Sequence, residues 1–322
     1  MREAEVIERL RRIATHPAAR GLADDAALLD GLVITHDSIA EGIHFLPSDP
    51  PASVGWKLVA VNLSDLAAKG AEPAAALLSL TLAGDSDWDS GFIDGIDAAC
   101  ESYGLALIGG DTIAIAAGAP RVLGMTAIGR AGPNTPARGG ARAGDRLWLA
   151  GTLGDSAAGL AILQADPKAT GVLVDIYRRP VPLLAAGRAL APDASAMMDV
   201  SDGLLLDASR LAIASKCSAT IDLDALPLSR AFIAERGGGI EARLFAATGG
   251  DDYALLCAFP PDFDPALRLS LRSGPTLVCV GTLAAGDAPL NLVGGGGRPV
   301  PLPEHLGHEH RGIATSPMAD RP

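Results

Sequence analysis

The chain has 322 residues, 48% of them hydrophobic and 20% charged, and carries a formal net charge of −12. That is enough length for two domains and enough apolar content for a sizeable core, and it is too acidic for a nucleic-acid surface, which needs a basic stripe. No apolar run approaches the roughly 18 residues of a spanning helix, so a soluble cytoplasmic protein without membrane or nucleic-acid partners is expected.

The first segment, MREAEVIERLRRIA, reads as a charged amphipathic helix rather than a secretory signal. GLADDAALLD follows, and then the strand GLVITHD, which ends in a His36–Asp37 pair with His44 seven residues further on. Taken alone, THDSIAEGIHF suits a transition-metal site, a hydrolase constellation or ordinary loop chemistry. A Pro-rich loop leads into GWKLVAVNLSDLAAKGA, whose apolar spacing predicts a helix. AAALLSLTLA predicts a buried strand, and SDWDSGFIDGIDAACESYG a capped helix stopped by Gly104. LALIGGDT and RVLGMTAIG are further strands.

Residues 131–145, rich in Gly, Pro and Arg, predict a linker. This divides the chain into residues 1–135 and 136–322, two α/β-type domains. The second runs through RLWLAGTLG, AMMDVSDGLLLDASRLAIAS, ATIDLDALPL, DDYALLCAFP and TLVCVGTL. From about Gly294 the chain is expected to be loop. The four cysteines, Cys100, Cys217, Cys257 and Cys279, are scattered in apolar contexts without a CxxC pair, as befits buried thiols in a reducing compartment.

Several common motifs are missing. There is no GxxxxGK[ST], no GxGxxG after a strand, no HExxH and no GxSxG. DVSDG resembles the head of a calcium loop but fails its spacing and has Arg210 where the closing Glu belongs.

The acidic residues are lopsided: 28 Asp against 10 Glu, with only four Lys among 26 basic residues. Five segments stand out: Asp24–Asp25 in ADDAA, Asp37 in THD, Asp65 in NLSD, Asp111 in IGGDT, and Asp199 with Asp202 in DVSDG. Short, hard oxygen ligands on tight loops suit Mg²⁺, which shares its shell with phosphates and water. With so few lysines, a polyphosphate would need metal ions to neutralise it. Each segment also has a plainer reading. Asp24 and Asp25 could cap a turn, and Asp65 could pair with Lys69 at i,i+4. Asp111 could close a Gly-Gly turn, while Asp199 or Asp202 could cap the following helix. Spacing alone does not show convergence.

The segments ADDAALL, THDSIAEGIHFLP, GWKLVAVNLSDLAAKGAEP, LIGGDT, ARGGARAGDRLWLAGTLGDSAAGLAIL, DVSDGLLLDASRLA, IDLDALPLS and TGGDDYALL follow in one order up to about residue 290. Together they closely resemble the thiamine-monophosphate kinase family. Its superfamily also holds aminoimidazole ribonucleotide synthetase and selenophosphate synthetase. The resemblance implies ATP-dependent phosphorylation of thiamine monophosphate to thiamine diphosphate, the last step of thiamine diphosphate biosynthesis, with several Mg²⁺ ions. It also implies a two-domain α/β fold (α+β type), in which the N-terminal sheet joins across a homodimer.

Carried over by motif, the metal ligands are Asp25, Thr35, Asp37, Asp65, Asp111, Asp199 and Asp202. The nucleotide contacts are Tyr103, Gly110, Asp111, Arg138 and Ser201, and the acceptor contacts are His44, Asp251 and His308. Asp37, Asp65, Asp111 and Arg138 would be central to catalysis, with Arg138 on the ATP phosphates. The chain departs from the family at three points. His36 stands where a Thr or Ser is usual, GGED becomes GGDD at Asp251, and His308 in GHEHR occupies the C-terminal aromatic position. His305, His308 and His310 read as a solvated tail rather than a metal tract. Other readings are an ATP-dependent ligase of the same superfamily acting on a formyl-amidine, and a nucleotide-binding regulator without catalysis.

Overall fold

The structure is a computed structural model that describes residues 3–269 and 274–308. After helix α1 (Glu3–Arg11) come strands β1 (Ala27–Leu29) and β2 (Leu32–Ala40), helix α2 (Pro51–Ala68), strand β3 (Glu72–Leu82), helix α3 (Ser86–Tyr103), and strands β4 (Ala106–Ala114) and β5 (Val122–Arg130). The five strands form one sheet in the order β1-β2-β5-β3-β4, antiparallel except for the parallel β3–β4 pair.

α2 starts with Pro51, whose fixed φ and missing N–H suit a first helical position. Its burial is not one-sided: nearly every residue from Ser53 to Ala68 is buried, including Leu58, Leu63 and Leu66. Each such leucine contributes about 1.5–3 kcal/mol of transfer free energy. α2 packs on α3 at very close range. A Cβ added at Gly55 would meet the Phe92 carbonyl oxygen at 2.3 Å, and one at Gly95 would meet that of Ala52 at 2.0 Å. α3 ends as its sequence predicts, with Gly104 in the left-handed conformation (φ 65°).

The second unit contains β6 (Arg146–Ala150), α4 (Asp155–Ala165), α5 (Val172–Arg178), α6 (Leu184–Leu190), β7 (Ala196–Val200), α7 (Leu204–Ala214), β8 (Ser218–Asp222), α8 (Arg230–Arg236), α9 (Ile240–Gly249), β9 (Ala254–Phe259), β10 (Leu277–Ala284), β11 (Leu290–Gly294) and β12 (Arg298–Val300). Its sheet runs β12-β11-β8-β10-β6-β9-β7. β11 and β12 form a hairpin where loop was expected. Gly295, Gly296 and Gly297 all take positive φ, so the glycine run is the turn that lets the strand fold back.

β9 explains how the two units share a core. Leu255, Cys257 and Phe259 join the cluster that contains α2, whereas Ala254, Leu256 and Ala258 join a second cluster behind the sheet. This is the period-2 alternation of a strand buried on both faces. In β7, Met197 likewise faces the α2 cluster, and Ala196, Met198 and Val200 face the other. Odd-numbered residues of β7 therefore point at α2, and Asp199 is one of them.

Candidate metal centre

Asp25, just before β1, Asp65 in α2 and Asp199 in β7 each offer a carboxylate oxygen, and these oxygens lie within 4.8 Å of one another. The odd-numbered face of β2 lies against α2, burying Val33, Thr35 and Ile39. Thr35 donates its hydroxyl to Asp65 Oδ2 and also, at 3.2 Å, to the Asp25 carbonyl oxygen. The backbone N–H of Asp37 donates to Asn62 Oδ1 at 2.9 Å, and Ser64 Oγ donates to Asp199 Oδ2 at 2.7 Å. In NLSDLAAK, Asn62 and Asp65 recur at i and i+3 on one face of α2, and Lys69 follows as its C-cap residue.

The three carboxylates differ in their counter-charges. Burial alone would raise Asp25, but Lys69 and Arg138 beside it outweigh that and bring it down to about 2. Lys69 Nζ lies 2.7 Å from Asp25 Oδ2, and Arg138 pairs with Oδ1. Asp65 and Asp199 form no ion pair with a cationic side chain among the described residues; their side-chain donors are the hydroxyls of Thr35 and Ser64. Burial pushes both well above the carboxylate range. Asp37, Asp199 and Asp25 add repulsion at Asp65, and Asp25, Asp207 and Asp37 add it at Asp199. An oxygen-only donor set with uncompensated negative charge fits a hard divalent cation.

Lys69 does not pair with Asp65 one turn earlier, the plainer reading of that spacing. It reaches across to Asp24 Oδ1 at 2.5 Å and to Asp25, because its ammonium lies under the ADD turn. Nor does Asp199 or Asp202 cap α7, whose N-cap is Gly203 without a side-chain bond. Asp202 pairs instead with Arg210, which also bonds Asp207 at 3.0 Å. Ser201, in the same loop, accepts the Asp251 N–H on its carbonyl at 2.7 Å.

The ring of His36 points away from the centre. It lies on the even-numbered face of β2, with Nδ1 2.9 Å from Thr126 Oγ1 and Nε2 3.3 Å from Ser38 Oγ. His44 sits in the loop after β2, where its Nδ1 accepts the Ala40 N–H at 3.1 Å. In the neutral ring the proton is then on Nε2, as a donor.

Asp251 is heavily engaged. Lys57 Nζ lies 2.6 Å from its Oδ2, Ser156 Oγ donates to the same oxygen at 2.7 Å, and Tyr253 donates to Oδ1 at 2.8 Å. Both Asp251 and Tyr253 have positive φ (62° and 53°), a backbone conformation that L side chains adopt at a cost of about 1–3 kcal/mol. Lys57, only 2% exposed, also stands over the Tyr177 ring at 4.0 Å. Sequence reasoning missed both Lys57 and Lys69. The available signal was that two of only four lysines fall in GWKLVAVNLSDLAAKGA, an otherwise largely apolar segment.

Tyr103, Gly110 and Asp111 are not brought to this centre within one chain. Tyr103 stacks edge-on with Trp56, ring centroids 5.5 Å apart. Trp56 precedes Asp65 by nine residues, roughly 13 Å along α2. Gly110 and Asp111 lie inside β4, not in a turn, and β4 is separated from β2 by β5 and β3. At the usual strand spacing that is about 14 Å. Register places Asp111 in line with Ser79, Gly124 and Ser38, whereas Asp37 lines up with Met125, so the two carboxylates leave opposite faces of the sheet. His308 donates its backbone N–H to the Asp202 carbonyl at 2.8 Å, bringing the tail to the DVSDG loop. His305 is exposed, and His310 lies outside the described residues. No helix among the described residues is long and apolar enough to cross a membrane.

Residues 23–131 match the family described as AIR synthase related protein, N-terminal domain, and residues 142–282 its C-terminal domain. The thiamine-monophosphate kinase of Escherichia coli (strain K12) is 39% identical over 306 residues, covering 90% of this chain and 91% of that protein. Among solved structures, AaThiL complexed with AMPPCP and TMP superposes with a TM-score of 0.82 at 29% identity, covering 96% of this chain and 97% of that one. The thiamine-monophosphate kinase of Stenotrophomonas maltophilia K279a superposes with a TM-score of 0.73 at 37% identity, covering 89% and 94%.

Proposed function

The chain belongs to the AIR synthase related family and, within it, to the thiamine-monophosphate kinases, and we propose that it transfers the γ-phosphate of ATP to thiamine monophosphate, giving thiamine diphosphate. The observation that carries this reading to the level of residues is the buried meeting of Asp25, Asp65 and Asp199 at the junction of the two units.

The acceptor is a phosphate monoester, already anionic and nucleophilic at neutral pH, so no strong general base is needed. Phosphoryl transfer asks mainly for in-line positioning and charge neutralisation. When bound, Mg²⁺ ions would supply that neutralisation. Asp25, Asp65 and Asp199 would hold them, with Asp37 and Asp202 at the margin and Thr35 orienting Asp65. Arg138, on a linker followed by Gly139 and Gly140, keeps partial exposure beside Asp25 and would turn toward the nucleotide phosphates. The Ser201 loop borders the same space. The Nε2–H of His44 would donate to the acceptor phosphate. Asp251, held by Lys57, Ser156 and Tyr253, and His308 on the returning tail would frame the rest of the acceptor.

Residues 1–135 would bind nucleotide and metal and form the dimer, and residues 136–322 would close the site from the other side. The dimer reading is supported by β4, an edge strand whose nine residues are all exposed and which carries Ile108 and Ile113 with half or more of their surface open. Such an edge is a template for pairing with another chain. A second copy joined there would add Gly110, Asp111 and Tyr103 to a centre that lacks them in one chain.

Incubation with ATP, Mg²⁺ and thiamine monophosphate tests the function directly. Thiamine diphosphate is the expected product. Tight ATP binding without product would favour the non-catalytic regulator.

A further inference from the structure

Only four lysines occur in the chain, yet one of them, Lys69, is wholly buried against the metal centre. An ammonium has three donors, and Lys69 has found acceptors for all of them. Asp24 Oδ1 is at 2.5 Å, the Met197 carbonyl oxygen at 3.0 Å and the Pro136 carbonyl oxygen at 3.4 Å, while Asp25 Oδ2, an ion-pair partner at 2.7 Å, receives no hydrogen bond. Asp24 belongs to the ADD turn, Pro136 to the linker and Met197 to β7, so the ammonium ties the first unit to the second. The rest of the turn is also neutralised from within the chain. Arg20 pairs with Asp24 Oδ2 at 2.5 Å, and Arg138 with Asp25 Oδ1.

The two cations on Asp25 are held differently. Arg138 sits on a glycine-flanked linker and its side chain is 21% exposed, so it can swing away when an anionic ligand draws it. Lys69 has no exposed surface, and leaving would strand a buried carbonyl and two buried carboxylates. Against this, Asp65 and Asp199 have no cationic side-chain partner among the described residues.

We propose that Lys69 is a resident cation of the metal centre: its charge stands permanently against Asp25 Oδ2 at 2.7 Å, so that a divalent ion enters on the Asp65–Asp199 side and reaches Asp25 through the oxygen paired with Arg138. Lys69 is thus a positioning residue beside Asp25 that limits how many ions the centre accepts and how tightly. This rests on the reading of Asp25, Asp65 and Asp199 as a divalent-cation site.

Titration of the full-length protein with Mn²⁺ alone, followed by the loss of free-ion electron paramagnetic resonance signal, tests it without nucleotide or turnover. Lys69→Met removes the charge at similar volume and is expected to bind Mn²⁺ about tenfold more tightly, because a like charge next to the ion is gone. Lys69→Arg, which keeps the charge, is expected to retain the wild-type isotherm. An unchanged or weakened isotherm in Lys69→Met overturns the proposal. Should that variant not fold, anomalous diffraction from Mn²⁺-soaked wild-type crystals decides it. An ion between Asp65 and Asp199 with Lys69 unmoved supports the proposal, and an ion on Asp25 Oδ2 with Lys69 displaced overturns it. If wild type and Asp65→Asn alike bind no Mn²⁺, the cation site itself is refuted and the inference with it.

Discussion

Asp65 and Asp111 are both aspartates flanked by small residues, and both lie in motifs of the same family pattern. Asp65 is buried in a helix that is packed on all sides, with Thr35 donating to it and Asp25 and Asp199 within reach. Asp111 sits on a sheet edge with every neighbour in its strand exposed. The buried centre is assembled by one chain, and its cost is stored there as raised proton affinity at Asp65 and Asp199. The β4 edge lies open to water instead. One region shows carboxylates gathered by the packing of a single chain, and the other an edge that the single chain leaves open.

The largest effect is expected at the buried side. Asp65→Asn should lower turnover about 10²–10³-fold at limiting Mg²⁺, the scale of losing a preorganised charge at the reacting phosphates. Wild-type turnover in steady-state assays would remove Asp65 from the centre. The exposed side is probed by Ile108→Asp, which puts a charge on the β4 edge. Sedimentation should then show a monomer, with activity down about tenfold at low enzyme concentration and recovering as concentration rises. Mn²⁺ binding at the buried centre should persist; if it vanished with the dimer, the two regions would not be separable.

A smaller effect is expected at His44, which belongs to neither region. His44→Ala should raise the KM for thiamine monophosphate about fivefold and leave that for ATP nearly unchanged, the signature of lost ground-state binding. The reverse pattern would move His44 to the nucleotide side.

The smallest effect is a pH dependence behind the buried centre. Burial pushes Asp207 up to about 7, the Asp202 charge adds to this, and Arg210 and Arg138 oppose it. Because the folded protein holds that proton more tightly than the unfolded chain, the stabilisation is full below the ordinary carboxylate range. It is lost as pH rises through about 7. In Asp207→Asn, the fall in Tm between about pH 5 and pH 8 should shrink by about 2–4 °C, measured on the metal-free protein. An unaltered slope would show that Asp207 is not the group responsible.

Much of this was legible before any coordinates. The 18-residue helix around NLSD, the strand through THD and the stop at Gly104 follow from apolar spacing and from a residue that tolerates positive φ. The linker at 131–145 separates the two sheets, as its Gly and Pro content suggests. The glycine run after residue 293 was less legible, because four glycines suit a flexible tail and a hairpin turn equally well. Lys69 was misleading for a local reason. The i,i+4 rule concerns helix surfaces in water, and here Asp65 faces the other carboxylates while Lys69 answers a turn 45 residues earlier in the chain.

By itself the sequence determined the residue types and their local settings. It supplied aspartates flanked by small residues, few lysines, and motifs in an order that places the chain among thiamine-monophosphate kinases. Only the tertiary structure decided which of those ligands meet. Convergence of Asp25, Asp65 and Asp199 depends on β7 presenting its odd-numbered face to α2, and exclusion of Asp111 on three strand spacings and one change of sheet face. Strand order and facing are set by packing between segments far apart in the chain, and local spacing carries no record of them.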